Sequence, residues 1–541
     1  MKVISFSSDD KYNHLLLNLL DSFYKANVEY SSFYVVHYEI SPIFQKACQN
    51  IYPNLVFLKK ERETHNYVKI NSSRFKHFIE VINDHFIDGD NVLIIDCDTL
   101  ILKDFSNVYS EKFDIGFTYK NTGFPINFGV IFGKISVKFR ETINYIYDDL
   151  KITLESKRSL KFATSISGAA DQHSINKLVN TDLLTPDNFS IAIRKKHFEN
   201  TSELIINNYS VNVKFFDCDT YNQTECVSEF AKTNIVHYKS GWHSALKNRS
   251  LNFLSKYRSY NQCKNLFYFW IDSYSTSISR YNSSLYDLLV KKTLSTSIDK
   301  IKLPIYKEGG ILPSELVFLN NLIELIEPDL IIESGRYNGV STEFIKINFP
   351  DILLTSYDFL KDKIAINTEK KLSKYDKLNL LYGDTRYLML NALSKTKTKY
   401  DRVLVLLDGP KGKDAFDLMN KALKYNNVAA VVVHDSYIGS EFRNLIEEQN
   451  IDNISSDNKS LVKHLRFYDD NIDKKYFNDK PYSFDENSDS SYGPTLVAAF
   501  NSNIYVDYPR INYLIRSLNI IRGNYLHRLI YFTRSLIKFR F

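Results

Sequence analysis

The chain has 541 residues, too many for one ordinary hydrophobic core, so at least two domains are expected. Hydrophobic residues make up 44% of the chain and charged residues 24%, a balance that is typical of globular proteins and excludes a disordered chain. The net charge of +6 is modest at this length and does not indicate a nucleic-acid partner. The sequence contains no run of about 18 apolar residues and no apolar N-terminal segment, so neither a membrane span nor a signal peptide is expected.

The cysteines indicate a reducing compartment. Five are present, and none forms a Cys-x-x-Cys pair, so neither a zinc site nor a disulfide framework is expected. Reduced thiols are typical of the cytoplasm, which is the predicted location. The sequence carries no indication of an oligomeric state.

Strand and helix patterns alternate along residues 1–245. "KVISF" and "FYVVHY" are typical of strands, while "YNHLLLNLLDSFYKAN" and "SSRFKHFIEVINDHF" are typical of helices. This alternation predicts an α/β domain with a mainly parallel sheet, to which "FDIGFTY" and "FGVIFGK" add two strands. A Ser-, Asn- and Tyr-rich stretch at 246–304 predicts a helical connector.

The stretch "VLIIDCDTLIL" (92–102) places two carboxylates at the end of a predicted buried strand. Buried charge is costly unless it is paired or holds a metal. Asp96 and Asp98 have the same side-chain parity on a strand, so both can point into one site, and their hard oxygens suit Mg or Mn. Such a cation would neutralise a diphosphate leaving group. The alternative is an ordinary surface turn, because Asp-x-Asp alone is common.

Further motifs follow in a characteristic order, namely "FSSDDKY" (6–12), Arg74 on a helix, "INFGVIF" (126–132), "AADQHSIN" (169–176) and "HYKSGWH" (237–243). Together with the Asp-x-Asp stretch they resemble the GT-A glycosyltransferases, most closely the family of glycogenin and the bacterial lipopolysaccharide galactosyltransferases. The resemblance covers residues 1–245. It implies a GT-A fold, a nucleotide-sugar donor, a glycan or lipid-linked acceptor and a divalent metal.

The resemblance also implies roles for single residues: Ser7, Asp9 and Tyr12 in the nucleotide pocket, Arg74 near the donor, Asn127 and Gly129 at the sugar, Asp171 and Gln172 at the reacting face, and Asp96, Asp98 and His237 at the metal. An imidazole beside two carboxylates favours Mn somewhat over Mg. Gly129 and Gly241 would let the backbone approach a ligand closely.

One departure from the family lies at the end of the last motif. The family usually carries a Lys-Pro-Trp-type end that grips the phosphates, whereas here Gly241 is followed by Trp242 and His243. Two alternatives stay open: His237 as a partly buried strand histidine, and Asp171 as a helix N-cap.

A second βαβ series at 305–505 predicts a doubly wound domain, with ligands at the carboxyl ends of its strands. Apolar runs at "DLIIES", "LLTSYD", "LNLLYGD", "RVLVLLDG" and "VAAVVVHD" end in acidic or small residues, and "SYGPTLVAAF" predicts a last strand. In "LIIESGRYNGVSTEFI" (330–345), glycines stand between a strand and a helix, where they permit close backbone approach to a ligand.

This order resembles the class I S-adenosylmethionine-dependent methyltransferases. The resemblance implies that Glu333, Gly335, Gly339 and Ser341 surround the methionine part of the cofactor, that Asp358 binds its ribose and that Asp384 lies near its adenine. Asp408 and Asp435 stand where some O-methyltransferases of this fold carry metal ligands. "SGRYNG" replaces the usual Gly-x-Gly.

Two residues of the second domain are candidates for catalysis. His434 is the candidate general base, because an unperturbed imidazole titrates near neutrality. Asp408 is either catalytic or a turn-forming residue of Asp-Gly-Pro.

These patterns predict a bifunctional glycan-assembly enzyme that transfers a sugar and methylates a sugar hydroxyl. Three alternatives stay open: a glycosyltransferase with a non-catalytic second domain, a non-catalytic nucleotide-sugar-binding protein, and an NAD-binding second half. Against an NAD-binding second half, the chain lacks the G-x-G-x-x-G pattern that NAD sites prefer.

The C-terminal segment 506–541 predicts a basic amphipathic helix. Residues 508–541 contain six Arg, one Lys and no acidic residue. Such a helix can lie on an anionic membrane surface, here the inner face, which would suit a lipid-linked acceptor. The alternative is a terminal helix that docks on the chain's own domains or on a second copy.

Overall fold

The computed structural model describes residues 1–63, 67–119, 126–155, 174–175, 178, 201–224, 231–239, 242–254, 260–306, 309–469 and 495–506. The predicted C-terminal helix and the residues Asp171, Gln172 and Gly241 lie outside this part of the chain. Within it, no helix combines the length and the hydropathy that a membrane crossing requires.

The N-terminal half is a mixed α/β domain. Its strands are Lys2–Asp9 (β1), Ser32–Glu39 (β2), Leu55–Lys59 (β3), Asn91–Asp96 (β4), Thr99–Ile101 (β5), Ile115–Tyr119 (β6), Ile126–Lys134 (β7), Thr201–Ile206 (β8), Tyr209–Asp217 (β9) and Ile235–His237 (β10). Its helices are Asn13–Lys25 (α1), Pro42–Ile51 (α2), Tyr67–His85 (α3), Val137–Glu155 (α4), Cys218–Tyr221 (α5) and Trp242–Asn248 (α6).

Eight of these strands form one sheet in the order β3-β2-β1-β4-β7-β6-β9-β8. β3, β2, β1 and β4 are parallel, as the alternation of the sequence predicts, whereas β7 runs antiparallel to β4. β4 is a continuous apolar run because both faces of the sheet are covered, and Val92 to Ile95 are all buried. Its carboxyl end therefore opens at one edge of the domain, beside the end of β1.

A single long helix joins the two halves. Tyr260–Ser295 (α7) has 36 residues and, at 1.5 Å per residue, spans about 54 Å. It packs against α1 and α2 on one side. Further along, Leu285 and Leu289 enter the core of the second half. A helix therefore occupies most of the stretch between the two halves.

The C-terminal half is a doubly wound α/β domain. Its strands are Leu330–Ser334 (β11), Leu353–Asp358 (β12), Leu378–Tyr382 (β13), Val403–Leu407 (β14), Val428–Val433 (β15), Ile454–Ser455 (β16) and Val497–Phe500 (β17). Its helices are Pro313–Ile326 (α8), Val340–Asn348 (α9), Lys363–Leu372 (α10), Thr385–Thr396 (α11), Gly412–Ala422 (α12), Glu441–Glu448 (α13) and Val462–Arg466 (α14).

The second sheet has the order β13-β12-β11-β14-β15-β17-β16. The first five of these strands are parallel, and β17 lies antiparallel between β15 and β16. The chain order reverses between β11 and β14, and open α/β sheets bind ligands in the crevice at such a point.

The two halves meet at defined edges of their sheets. Arg402, which precedes β14, forms an ion pair with Asp10 over 3.2 Å, and Lys247 pairs with Asp401 over 2.8 Å. Asn426 Nδ2, before β15, donates to the carbonyl of Asn248. The N-terminal edge of the second sheet therefore faces the first domain, and its carboxyl edge faces away.

Candidate metal centre and second acidic site

Asp96, Asp98 and His237 come together at the end of β4. β10 pairs antiparallel with β5, which places His237 opposite Thr99, next to Asp98 in the chain. His237 Nε2 lies 3.1 Å from Asp98 Oδ1 and 3.6 Å from Asp96 Oδ2. One oxygen or nitrogen from each residue can meet at a common point, as divalent metal binding requires.

The His237 ring is oriented by Asn222. His237 Nδ1 lies 2.9 Å from Asn222 Oδ1, and Asn222 Nδ2 donates to Thr118 Oγ1 over 2.7 Å. An amide oxygen only accepts hydrogen bonds, so Nδ1 carries the proton and Nε2 is directed at the two carboxylates. This is the arrangement of a metal-binding histidine with a supporting acceptor.

Gly129 provides the space for this ring. A Cβ at Gly129 would lie 2.1 Å from His237 Cε1, so no larger residue fits without moving the imidazole. The neighbouring Asn127 is buried, and its Oδ1 accepts from the Gly129 N–H. Asn127 and Gly129 thus lie at the site, where their contact with a sugar stays a prediction.

Asp98 has a second imidazole partner that the motifs do not predict. His243 Nε2 lies 2.6 Å from Asp98 Oδ2, and the His243 ring faces Tyr12 edge-on with 6.2 Å between centroids. Although burial favours the neutral acid, His237 and His243 together lower the pKa of Asp98 below its usual range. The contact with Asp98 outweighs burial at His243 and raises the pKa of that imidazole. The only signal in the sequence is the unusual Trp242–His243 ending of the last motif.

Arg74 lies beside the candidate metal centre, and its contact with a donor stays a prediction. Its Nη1 is 2.9 Å from Asp96 Oδ1. This leaves Asp96 Oδ2 on the side of His237. A cation held there would lie next to a fixed positive charge, which suits a polyanionic ligand such as a diphosphate.

The predicted nucleotide residues lie at the carboxyl end of β1. Ser7 Oγ is buried and has no hydrogen-bond partner in the described part of the chain. Asp9 Oδ1 accepts from the Lys11 N–H, and Asp9 Oδ2 lies 3.2 Å from Arg62 Nη2. Asp9 is therefore charge-paired, and Ser7 offers an unused polar group.

The glycine-rich turn of the second domain brings β11 against the end of β14. Gly335 has φ +86°, and a Cβ there would lie 2.7 Å from the Asp408 carbonyl carbon. Gly339 also has positive φ, at +77°. Both glycines are thus required by backbone geometry, as the position of the motif between a strand and a helix predicts.

Glu333 is occupied by hydroxyl groups of its own domain. It is fully buried and accepts hydrogen bonds from Ser341, Thr342 and Ser356. Burial raises its pKa, against the effect of the three hydroxyls. The Ser341 hydroxyl therefore donates its hydrogen bond to the Glu333 carboxylate.

Asp358 and Asp384 differ in their surroundings. Asp358 lines a small pocket of about 160 Å³ with Tyr337 and Phe359, and burial raises its pKa. Asp384 caps α11, where its Oδ1 accepts from the Arg386 N–H, and it forms an ion pair with the Arg386 side chain. Asp358 is thus open to a ligand, whereas Asp384 is engaged with its own helix.

Asp408, His434 and Asp435 form a second cluster at the carboxyl ends of β14 and β15. His434 Nδ1 is 2.6 Å from Asp408 Oδ1, and its Nε2 is 3.3 Å from Glu315 Oε2. Lys411 Nζ bridges Asp408 and Asp435 at 2.6 and 2.7 Å. Neither Lys411 nor Glu315 is predicted by the motifs. Lys411 follows Asp408 by three residues, whereas Glu315 lies on α8 and reaches His434 only in the folded chain.

The acidic neighbours of His434 change the pKa of its imidazole. Burial lowers its pKa, but Asp408, Glu315 and Asp435 outweigh burial and raise it well above the usual value. The three carboxylates therefore favour the protonated form of His434, and its role as a general base stays a prediction. A divalent cation between Asp408 and Asp435 would take the place of the Lys411 ammonium.

No protein-family model matches the chain, and no curated protein is significantly similar to it. Among solved structures, the glycosyltransferase GlyE of Streptococcus pneumoniae TIGR4 is 12% identical with a TM-score of 0.32, covering 78% of this chain and 90% of GlyE. The galactosyltransferase LgtC, solved with donor and acceptor sugar analogues, is 13% identical with a TM-score of 0.33, covering 51% of this chain and 96% of LgtC. Likenesses of this level assign no activity, so function must be inferred from the sites themselves.

Proposed function

We propose that the chain is a metal-dependent glycosyltransferase that transfers a sugar from a nucleotide-sugar to a glycan or a lipid-linked saccharide. The observation that carries the proposal is the cluster of Asp96, Asp98 and His237, whose imidazole is oriented by Asn222. The cluster lies at the carboxyl end of β4, in the parallel part of the first sheet, and α/β domains bind nucleotides at such ends.

The chemistry of the donor atoms fits a divalent cation. Two carboxylates and one imidazole suit Mn or Mg, and the metal would supply charge stabilisation for a departing nucleoside diphosphate. Arg74 contributes a fixed positive charge beside Asp96. Ser7, Asp9 and Tyr12 are the proposed nucleotide contacts, and Asp171, Gln172 and Gly241 remain proposed from their motifs alone.

The test is a screen of nucleotide-sugars for release of the nucleoside diphosphate, with and without Mn. We expect one donor to be turned over only with metal, and Asp98→Asn to abolish both turnover and Mn-dependent nucleotide binding. Binding without turnover by the unaltered protein would support the non-catalytic alternative. Full activity of Asp98→Asn at ordinary Mn concentrations would disprove the metal assignment.

A second candidate function, methyl transfer from S-adenosylmethionine to a sugar hydroxyl, is favoured by the geometry at the strand reversal of the second sheet. Gly335 and Gly339 shape the turn, and Asp358 is an open carboxylate beside an apolar pocket wall, as a ribose contact requires. When bound, the cofactor would supply an electrophilic methyl group. Asp408, His434 and Asp435 would position the hydroxyl that accepts it. Fusion of the two activities would raise the effective concentration of a shared intermediate.

Titration of the whole protein with S-adenosylmethionine tests this second candidate. Asp358→Ala is expected to weaken binding by about 1.5–3 kcal/mol for each charged hydrogen bond lost. Sugar transfer should be unchanged in the same variant. If the unaltered protein does not bind the cofactor, the second domain has another role.

A further inference from the structure

Two successive residues of the second domain, Asp401 and Arg402, form ion pairs with the first domain. Asp401 Oδ1 lies 2.8 Å from Lys247 Nζ, and Arg402 Nη1 lies 3.2 Å from Asp10 Oδ2. Lys247 belongs to helix α6, whereas Asp10 begins the short helical turn that follows β1. The two ion pairs therefore attach different segments of the first domain to one point of the second.

This point of attachment is fixed within the second domain. The Oδ2 of Asp329, which precedes β11, accepts hydrogen bonds from the backbone N–H groups of Asp401 and Arg402 over 3.1 and 3.0 Å. The Asp329 N–H donates in turn to the Arg402 carbonyl over 2.9 Å. Because β14 begins at the next residue, these bonds tie the attachment point to the second sheet. A fixed point of this kind can hold the two segments that pair with it.

Both attached segments contact His243, the imidazole beside Asp98. On α6, His243 lies four residues before Lys247, so the two side chains lie one turn apart on the same face of the helix. Tyr12, in the turn after β1, faces the His243 ring edge-on. His243 Nε2 contacts Asp98 Oδ2 over 2.6 Å, which leaves Asp98 Oδ1 on the side of His237. The position of His243 therefore determines how Asp98 faces the metal centre.

A third contact between the domains lies at the end of α6. Asn426 Nδ2, before β15, donates to the carbonyl of Asn248 over 2.6 Å. The last carbonyl groups of a helix have no partner inside the helix, so this bond satisfies the helix end as well as joining the domains. On its other side, α6 inserts Ala245 and Leu246 into the core of the first domain. Its place is thus set by both domains.

We propose that Asp401 and Arg402 of the second domain are positioning residues for the metal centre of the first. They act through α6 and the turn after β1 on His243, and through His243 on Asp98. The inference rests on the proposed metal-dependent glycosyl transfer and extends it, because it gives the second domain a part in that reaction. In this role the second domain holds the metal ligands in place and contacts neither the donor nor the acceptor.

The test exchanges the charges of one interdomain ion pair and measures Mn binding to the whole protein by calorimetry. Lys247→Glu and Asp401→Lys each bring two like charges together. Each should weaken Mn binding about two- to fivefold, the range of an ion pair whose side chains are 40% and 41% exposed. The doubly substituted protein restores the ion pair in the opposite sense and should recover the affinity of the unaltered protein.

This design separates positioning from a direct effect of charge on the cation. A direct effect would strengthen Mn binding in Lys247→Glu and weaken it in Asp401→Lys, because the two substitutions change the charge in opposite directions. Positioning predicts a loss of affinity in both. Opposite changes in the two variants would therefore overturn the inference.

A substitution at His243 tests the route of the effect. His243→Ala removes the imidazole that contacts Asp98 and should weaken Mn binding about 10- to 100-fold. In a protein that already carries His243→Ala, Asp401→Lys should have no further effect, since residues that act through one another are not additive. The same loss from Asp401→Lys with and without His243 would contradict this route.

Two other variants complete the comparison. Lys292→Glu disrupts the ion pair with Glu324, which joins α7 to α8 with a similar exposure of 35% and 44%, and it should leave Mn binding unchanged. Asn426→Ala alters no charge and removes the bond to Asn248, so it should weaken Mn binding about two- to tenfold. Urea unfolding shows which variants are folded.

The outcomes separate this inference from the proposal on which it rests. Unchanged Mn affinity in folded Asp401→Lys and Asn426→Ala would overturn the inference and leave the proposed glycosyl transfer intact. If the unaltered protein does not bind Mn, the proposed glycosyl transfer and this inference both fail.

Discussion

Asp98 shows how much of a site lies in contacts between distant residues. Its Oδ1 faces His237 and its Oδ2 faces His243, and both imidazoles lie about 140 residues further along the chain. Asp96, Asp98 and His237 are predictable from motif order. Asn222 and His243 are not, because an asparagine or histidine becomes a supporting group only where folding places it. Glu315, which lies about 120 residues before His434, is missed for the same reason.

The tightest steric requirement at residue scale is at Gly129. An alanine there would place its Cβ 2.1 Å from His237 Cε1 and push the imidazole off the metal centre. We expect Gly129→Ala to weaken Mn binding at least about tenfold, since even loss of a supporting group costs about 10- to 100-fold. Mn titration of the folded variant measures this.

Gly133 on the same strand provides the matched control. A Cβ there would meet Phe139 Cε2 at 2.2 Å, in the core and away from the metal. Gly133→Ala should therefore cost about 1–3 kcal/mol of unfolding free energy through overpacking and leave Mn affinity unchanged. Equal Mn affinity in the two variants would contradict the role given to Gly129.

At the scale of elements, long periodic or fully apolar segments are predictable and short ones are not. β4, β11, β14 and β15 are apolar runs that match the observed strands. β16 has two residues and β5 and β10 have three each, too few to show a period. The reversal of β7 is also unpredicted, because strand direction depends on pairing, which a local pattern does not encode.

The packing of the connector α7 can be tested by the effect of a substitution on the free energy of unfolding. Trp270 is buried, stacks on Tyr274 with 4.8 Å between centroids, and faces His14 of α1 edge-on. Trp270→Ala should lower the free energy of unfolding by about 3–5 kcal/mol, the usual cost of removing a large buried aromatic. Urea denaturation measures the change.

The neighbouring Phe269 gives the comparison for this prediction. It is 37% exposed, so Phe269→Ala should cost far less than Trp270→Ala. If both substitutions have the same small effect, α7 does not hold the first domain in the way the packing indicates.

For the whole molecule, the sequence predicts two α/β domains and a connector but not how the domains meet. The contact depends on single charged or polar residues, such as Arg402 with Asp10 and Asn426 with Asn248, that resemble any surface residue in the sequence. The contacts between the domains are therefore visible only in the folded chain.

The C-terminal segment 508–541 remains a prediction from sequence. With six Arg, one Lys and no acid, it is expected to bind anionic vesicles, each basic group contributing about 1 kcal/mol near the surface. Co-sedimentation of the full chain and of a chain ending at residue 507 measures this. Full-length protein that stays in the supernatant at low salt would favour the docked-helix alternative.

The contact between the domains and the acidic cluster of the second domain lie at opposite ends of β14. Arg402 pairs with Asp10 of the first domain before this strand and Asp408 lies after it, and a rise of about 3.3 Å per residue puts them about 20 Å apart. Two unit charges at this distance interact by only about 0.2–0.8 kcal/mol, so a charge change at Asp408 should have little effect on the first domain.

Asp408→Asn should therefore leave Mn-dependent binding of nucleoside diphosphates within about fourfold of the unaltered protein. The substituted side chain would still fill the turn but would lose its ion pair with Lys411, so the change is confined to the second site. Calorimetry on this variant and on the unaltered protein measures the two affinities. A large loss of nucleotide affinity in Asp408→Asn would mean that the two edges of the sheet are coupled, and that the domains act as one site.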